Sequence, residues 1–177
     1  MRLFFALWPP ADARRRLAAG ATSGARLLGG RATRVETIHL TLVFLGEVAE
    51  AQLPLVLAAG ERVRSAPFEL RIDQLGYWRH NRLLWAGCTT MPPELQSLVD
   101  DLRQALTEAG IAFDDAKRRF VPHVTLVRKV PEARVAGSLP VIKPILWSCA
   151  RFALVESQLT EHGSVYRMLK EWPLAPD

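Results

Sequence analysis

The sequence predicts an α+β fold with largely antiparallel sheets. Short segments with alternating apolar residues are mixed along the chain with longer segments whose apolar residues recur at three- and four-residue steps. Several strand-like segments are separated by short turns, which is typical of hairpins. A His-x-Thr tripeptide occurs twice, about half a chain length apart. The 177 residues are therefore expected to form a single domain, residues 1–177, of two similar lobes that present one motif each to a shared cleft.

In the first half of the chain, proline and glycine residues mark the ends of the predicted elements. Residues 2–8 form an apolar run that Pro9-Pro10 ends, which predicts a strand followed by a helix to about Leu28, where Gly29-Gly30 stops it. The rest of this half is expected to be extended at 33–35 and 38–45, helical at 50–65, and a hairpin of strands 68–75 and 82–88 around a turn at 77–81.

The second half opens with the clearest helix. It begins at Pro92-Pro93 and ends at Gly110, and it carries an apolar stripe: Leu95, Leu98, Val99, Leu102 and Leu106. After it we expect a strand at 121–130 with the second motif, a loop at 131–144 with three prolines, a long strand at 145–159, a turn at 161–164 and a final strand at 165–172.

Composition favours a soluble protein with an anionic partner. The net charge is +5, and 19 of the 23 basic residues are Arg, which suits bidentate contacts to phosphate. Codon bias together with a solvated surface explains the same excess equally well. No apolar run is long enough to span a membrane, and the N-terminus lacks the long apolar region of a signal peptide. Cys88 and Cys149 are expected to be reduced, buried thiols in a cytoplasmic protein, although a disulfide or a catalytic Cys is the alternative.

The repeated His-x-Thr motif supplies the candidate catalytic residues. On a strand, His39 and Thr41 share one face with Val43, whereas Leu40, Leu42 and Phe44 face the core. His123 and Thr125 repeat the arrangement, with Val124 and Leu126 inward. Two such pairs facing each other supply a general base, a general acid and two donors for an anion, which suffices for phosphodiester chemistry without a metal. For either motif alone, the alternative is a surface strand with an incidental His.

Arg128 is a third candidate, as a cation that stabilises the transition state. It lies an odd number of residues from His123, so strict alternation places it on the opposite face. It reaches the cleft only if the strand ends or bulges after Leu126.

Other polar residues are expected to lie on solvated surface. His80 and His162 fall in predicted turns, although His162 is within reach of a substrate, and Arg14-Arg15-Arg16 is expected to form a solvated helix face. Lys117-Arg118-Arg119 precedes the second motif and is a candidate guide for RNA. No metal site is expected, because neither motif His has a second ligand at the spacing of a zinc site.

The chain resembles the two-histidine phosphoesterases, and within them the RNA 2′,3′-cyclic phosphodiesterases, also called the 2′-5′ RNA ligase family. The matching segments extend over nearly the whole chain: residues 2–7, 35–46, 84–87, 119–128 and 154–157, and Tyr166. The resemblance implies two pseudo-symmetric lobes with helices outside and an active cleft between them. Many members carry Lys at the place of Val43, so the loss of a backbone-phosphate contact is expected here.

The resemblance also implies the reaction. A 2′,3′-cyclic phosphate at an RNA end, tRNA fragments included, opens to a 2′-phosphomonoester without a cofactor. His39 is the expected proton donor and His123 the proton acceptor, while Thr41, Thr125 and Arg128 hold the phosphate. In the reverse direction the two histidines would exchange roles and the same site could join RNA ends through a 2′-5′ bond. The protein is expected to be a monomer. The alternatives are a phosphodiesterase for small cyclic nucleotides or 2′-5′ oligonucleotides, and an RNA-binding protein without catalysis.

Overall fold

A computed structural model describes residues 1–114, 119–161 and 163–175 of the chain. The helices are α1 (Ala11–Leu28), α2 (Leu53–Glu61) and α3 (Pro93–Glu108). Single turns of 3-10 helix lie at Val35–Thr37, Glu50–Gln52 and Glu132–Arg134. The strands are β1 (Arg2–Leu7), β2 (Arg31–Ala32), β3 (Leu40–Glu47), β4 (Phe68–Ile72), β5 (Gln74–Trp78), β6 (Leu83–Gly87), β7 (His123–Arg128), β8 (Ile145–Cys149), β9 (Arg151–Thr160) and β10 (Gly163–Pro173).

Eight strands form one antiparallel sheet in the order β10-β9-β1-β3-β7-β6-β5, with the short β2 also paired to β7. The remaining two, β4 and β8, form a separate antiparallel pair. The large sheet has two halves, β10-β9-β1-β3 and β7-β6-β5, which meet between β3 and β7. Only Leu40 and Val124 pair across this junction in the described structure. The predicted α+β class with antiparallel sheets is confirmed.

The two faces of the large sheet differ. One face carries the main core, which includes the apolar sides of all three helices and of the β4–β8 pair. The other face carries a smaller cluster of Phe4, Ala6, Ala153 and Val155, with Trp8, Phe44 and Tyr166 packed on it. Tyr166 and Phe44 on this second face line the two compartments described below. Within the described ranges, no helix is long and apolar enough to cross a membrane.

The predicted helices lie close to their expected bounds. In α3 every residue of the predicted apolar stripe is buried, and the helix ends just before Gly110, whose φ is 69°. Gly29 ends α1 with a φ of 77° and donates its N–H to the Ala25 carbonyl. Such left-handed backbone favours glycine, which explains why both stops are visible in the sequence.

Two predicted strands are each divided in the structure. The segment 68–75 breaks at Asp73, so that β4 joins β8, and the hairpin with β6 is made by β5. Tyr77 and Trp78 were expected in the turn but lie in β5, and the turn is 79–82. The segment 145–159 likewise breaks at Ala150 into β8 and β9, which belong to different sheets. Local alternation does not reveal such a change of partner, because both pieces keep a buried face.

Candidate active site

A bulge in β3 follows the first motif. Along β1 and β3 the register passes from Ala6–Thr41 to Phe5–Val43, so Leu42 has no partner of its own. Leu42 and Val43 are both buried in the main core as a result. The expectation that Val43 shares the face of His39, with Phe44 in the core, is therefore wrong. Phe44 instead returns to the cleft face, because the extra residue reverses the alternation.

The second motif contains a matching bulge. Between β6 and β7 the register passes from Trp85–Thr125 to Leu84–Val127, leaving out Leu126. Leu126 and Val127 are both buried, and Arg128 turns back to the face of Thr125. The bulge after Leu126, on which the position of Arg128 depended, is thus present. Phe44 and Arg128 occupy equivalent places in the two motifs.

His39 is enclosed by aromatic rings just before β3. Its imidazole stacks on Trp8 with ring centroids 5.2 Å apart, and Phe4 and Tyr166 contact it at 5.0 and 5.2 Å. Its Nδ1–H donates to the Thr37 carbonyl at 2.7 Å. That bond leaves the Nε2 of the neutral ring as an acceptor, and the Thr41 hydroxyl lies 3.1 Å from it.

Burial changes the charge of His39. Its pKa is lowered from 6.5 to about 4, chiefly because desolvation disfavours the charged ring. The hydrogen bond to the Thr37 carbonyl opposes this change, whereas the charges of Arg128 and His123 add to it. His39 is therefore neutral at pH 7 while the cleft is empty.

His123 opens β7 on the opposite side of the junction between the two halves. Its Nδ1–H donates to the Val121 carbonyl at 2.9 Å, two residues back, as the Nδ1 of His39 does to Thr37. The edge of the ring meets Trp78 at 4.5 Å. The shared backbone bond places the proton of each neutral imidazole on Nδ1 and leaves Nε2 unprotonated.

Two compartments flank the histidines. The first, of about 430 Å³, is lined by His39, Thr125, Arg128 and Tyr166, together with Arg31, Arg34 and Ser164. The second, of about 310 Å³, is lined by Thr41, His123 and Trp78, together with His80, Arg119 and Phe120. Both are large enough for small-molecule binding. The motif residues predicted to act together are thus divided between the two compartments, with His39 and Thr125 in the first and Thr41 and His123 in the second.

The indole of Trp85 lies against two glycines, Gly76 and Gly87, and contacts Trp78, which lines the second compartment. A Cβ on Gly76 would lie 2.0 Å from the indole of Trp85, and one on Gly87 would lie 2.7 Å from it. Both strand positions must therefore lack a side chain for the indole to lie flat against the sheet. Trp78 contacts this indole at 5.2 Å, so the aromatic surface continues up to His123.

The remaining predicted residues lie away from the reacting centre or outside the described ranges. His80 is exposed in its turn, as expected, although it lines the second compartment, and Arg14–Arg16 lie on α1. His162, Lys117 and Arg118 lie outside the described residues. Cys88 and Cys149 are buried and unpaired, as predicted. In the described ranges no three His, Cys, Asp or Glu side chains gather into a metal-binding group.

Sequence reasoning did not single out the aromatic enclosure of His39 or two of the arginines. Trp8 continues the alternation of Phe4 and Ala6 beyond the end of β1, which is the one local indication of its position. Arg31 and Arg34 come from a segment whose pairing with β7 no local pattern reveals. A third cavity of about 410 Å³, under α1, is almost wholly apolar and contains none of the motif histidines or threonines.

Known proteins share this architecture. Residues 7–85 match the family described as LigT like Phosphoesterase. The RNA 2′,3′-cyclic phosphodiesterase of Escherichia coli is 36% identical over 98% of this chain and 96% of its own length. The protein of the same name from Thermus thermophilus is 34% identical over 98% and 90%. Crystal structures of E. coli LigT, apo and complexed with 3′-AMP, superpose with a TM-score of 0.87 at 30% identity, covering 98% of this chain and 97% of theirs. The chain belongs to the LigT-like phosphoesterase family.

Proposed function

We propose that this protein is an RNA 2′,3′-cyclic phosphodiesterase that forms 2′-phosphomonoesters. The observation that carries the proposal is the placement of His39 and His123 directly before the paired residues Leu40 and Val124, each with its Nδ1–H bound to a backbone carbonyl. The names of the relatives support the reaction, and one structural relative was crystallised with a nucleotide, 3′-AMP.

The proposed reaction is an in-line displacement at phosphorus. His123 accepts a proton from water as the water oxygen bonds to phosphorus, and the bond from phosphorus to the 3′-oxygen breaks. His39 donates a proton to that oxygen, which leaves a 3′-hydroxyl and a 2′-phosphate. Thr41, Thr125 and Arg128 hold the phosphate oxygens, whose charge grows in the transition state.

The donor role requires that His39 gain a proton when substrate binds. Because its pKa is about 4 in the empty cleft, the ring starts neutral. A cyclic phosphate is an anion, so its arrival offsets the charge of Arg128 and favours the protonated imidazole. Proton uptake on binding is therefore part of the proposal.

The first experiment measures hydrolysis of an oligoribonucleotide that ends in a 2′,3′-cyclic phosphate, in the presence of EDTA, and separates 2′- from 3′-phosphate product. A 2′-phosphate that forms despite the chelator, and at least about a hundredfold more slowly in His39→Ala and His123→Ala, supports the proposal. Thr22→Ala, on the exposed face of α1, is the control. Chelator-sensitive turnover, or near-normal rates in either His variant, would refute it.

A second substrate assigns the two roles. In a 2′-O,3′-S-cyclic phosphorothiolate the leaving atom is sulfur, and a thiolate departs without being protonated. If His39 is the donor, the substrate restores most of the rate of His39→Ala and leaves His123→Ala impaired. The opposite pattern would exchange the roles of the two histidines.

The second compartment favours one additional reaction at the same site. A space of about 310 Å³ beside His123, with Trp78 and Phe120 in its wall, exceeds what an attacking water needs. A nucleoside 5′-hydroxyl held there in place of water would give its proton to His123 and attack the cyclic phosphate. The bond from phosphorus to the 3′-oxygen would break, that oxygen would take a proton from His39, and a 2′-5′ bond would result. Incubation of a cyclic-phosphate donor with a 5′-hydroxyl RNA, with the product tested for resistance to a nuclease specific for 3′-5′ bonds, measures this ligation. Hydrolysis without any joined product would exclude it.

A further inference from the structure

The first compartment has an unusual concentration of positive charge. Arg31 and Arg128 are direct partners across β2 and β7, and both line this compartment. Arg34, three residues beyond Arg31, lines it as well and donates from its guanidinium to the Ser164 carbonyl at 2.8 Å. Three guanidinium groups therefore share one wall of the cleft.

This arrangement costs stability in the free protein. Like charges directly opposite each other on antiparallel strands repel. Among the described residues, no carboxylate forms an ion pair with Arg31, Arg34 or Arg128; Glu36 lines only the neighbouring hollow beside Arg34. An anionic ligand would remove the repulsion. Ligand binding therefore explains the cluster of arginines, whereas folding stability does not.

The backbone holds the pair close together. Gly30 has a φ of 90°, and a Cβ there would lie 2.6 Å from the Arg128 carbonyl oxygen. Glycine thus lets the chain pass tightly against β7 just before Arg31. The proximity of the two arginines is therefore built into the backbone and does not depend on side-chain rotamers alone.

The proposed reaction uses only one of the three cations. Thr41, Thr125 and Arg128 already supply donors for the reacting phosphate, which leaves two guanidinium groups beyond it. Guanidinium binds phosphate oxygens in a bidentate manner and is the side chain best suited to a second phosphate.

We propose that Arg31 and Arg34 form a second phosphate subsite, which binds the phosphate on the 5′-oxygen of the nucleoside that carries the cyclic phosphate. In RNA that group is the last internucleotide linkage. The inference rests on the proposed function, since it takes the reacting phosphate to lie at Thr125 and Arg128. The subsite predicts that the cleft prefers an RNA end to a free cyclic nucleoside.

The test compares three substrates: adenosine 2′,3′-cyclic phosphate, its 5′-phosphorylated form, and a dinucleotide with the same cyclic end. The wild-type kcat/KM is expected to be at least about tenfold higher for the second and third substrates than for the first. Arg31→Gln and Arg34→Gln should each reduce that ratio by about tenfold, toward one, and Arg34→Lys should retain part of it. Arg151→Gln, an exposed cation at the start of β9, is the matched control and should keep the wild-type ratio.

A binding measurement separates this inference from the proposed function. Calorimetric titration with adenosine 2′-phosphate and adenosine 2′,5′-bisphosphate reports the contribution of the 5′-phosphate without turnover. The wild type should bind the bisphosphate about tenfold more tightly than the monophosphate. Arg31→Gln should bind the two nucleotides equally tightly. Because this substitution removes a like-charge pair, its melting temperature should not fall, so weaker binding is not a sign of unfolding.

Each outcome decides one of the two proposals. Equal affinity of the wild type for both nucleotides would overturn the subsite, as would a 5′-phosphate preference that survives in Arg31→Gln and Arg34→Gln. A preference for the dinucleotide but not for the 5′-phosphorylated mononucleotide would also overturn it, because the nucleobase would then be recognised. Failure of every cyclic substrate to react would refute the proposed function, while the titration would still test the subsite.

Discussion

The half-buried His39, which is neutral at pH 7, predicts a loss of stability in acid. Above pH 6.5 the imidazole is neutral both in the folded and in the unfolded protein. As the pH falls from 6.5 to about 4, the unfolded chain binds a proton at His39 and the folded chain does not. The contribution of His39 is therefore fully present above pH 6.5 and is lost through this window.

The magnitude follows from the two pKa values. At about 1.36 kcal/mol for each pKa unit, the interval between 6.5 and about 4 corresponds to about 3 kcal/mol in the free energy of unfolding. About 2 kcal/mol of it should be lost already at pH 5. In a domain whose stability is of the order of 5–15 kcal/mol this is a large fraction.

The assay is urea unfolding of the wild type and of His39→Asn between pH 8 and pH 4, with Thr22→Ala as a control for substitution in general. Between pH 8 and pH 4, the free energy of unfolding of the wild type should fall by about 3 kcal/mol more than that of His39→Asn, since Asn does not titrate. Histidine NMR resonances give the pKa of His39 directly, and inorganic phosphate should raise it. Parallel stability curves for the wild type and His39→Asn, or a measured pKa near 6.5, would refute the reasoning.

Three further substitutions test the geometry of the cleft. Arg128→Gln should lower kcat/KM for a cyclic-phosphate RNA by about a hundredfold with little change in melting temperature; an unchanged rate would mean that the bulge does not bring this cation to the phosphate. Gly76→Ala should destabilise the protein by about 1–3 kcal/mol in chemical unfolding, because its Cβ would overlap the Trp85 indole, and an unaffected midpoint would contradict that packing. Gly30→Ala should strain the left-handed backbone next to β7, lowering the melting temperature and also the preference for a 5′-phosphate; retention of both would show that the tight approach is not needed.

The sequence predicted those parts of the fold that local patterns determine. The apolar stripe of α3 and its Gly110 stop require nothing beyond the helix itself, and the same holds for α1 and Gly29. The two His-x-Thr motifs were visible because they repeat, and in the structure His39 lines the first compartment and His123 the second.

What the sequence did not reveal depends on distant partners. The bulge at Leu42 is a mismatch of β3 against β1, so Val43 was assigned to the wrong face although its own neighbours alternate well. The bulge after Leu126 was only a condition for Arg128 to reach the cleft. It could not be predicted from β7 alone, because the mismatch arises against β6. The breaks at Asp73 and Ala150 likewise reflect the pairing of β4 with β8.

The junction of the sheet has a mechanical consequence. In the described part of the chain one residue pair, Leu40 with Val124, joins the two halves, and the residue before each member of the pair is a motif histidine. If one half rocked against the other, this pair would act as the hinge, because it is the one backbone pairing between β3 and β7 in the described residues. Displacement is smallest at the hinge and grows with distance from it, so such motion would open and close the outer compartments while hardly changing the spacing of the two imidazoles. In the proposed reaction, such motion would let RNA ends of different bulk enter while the distance between His39 and His123 stays the same.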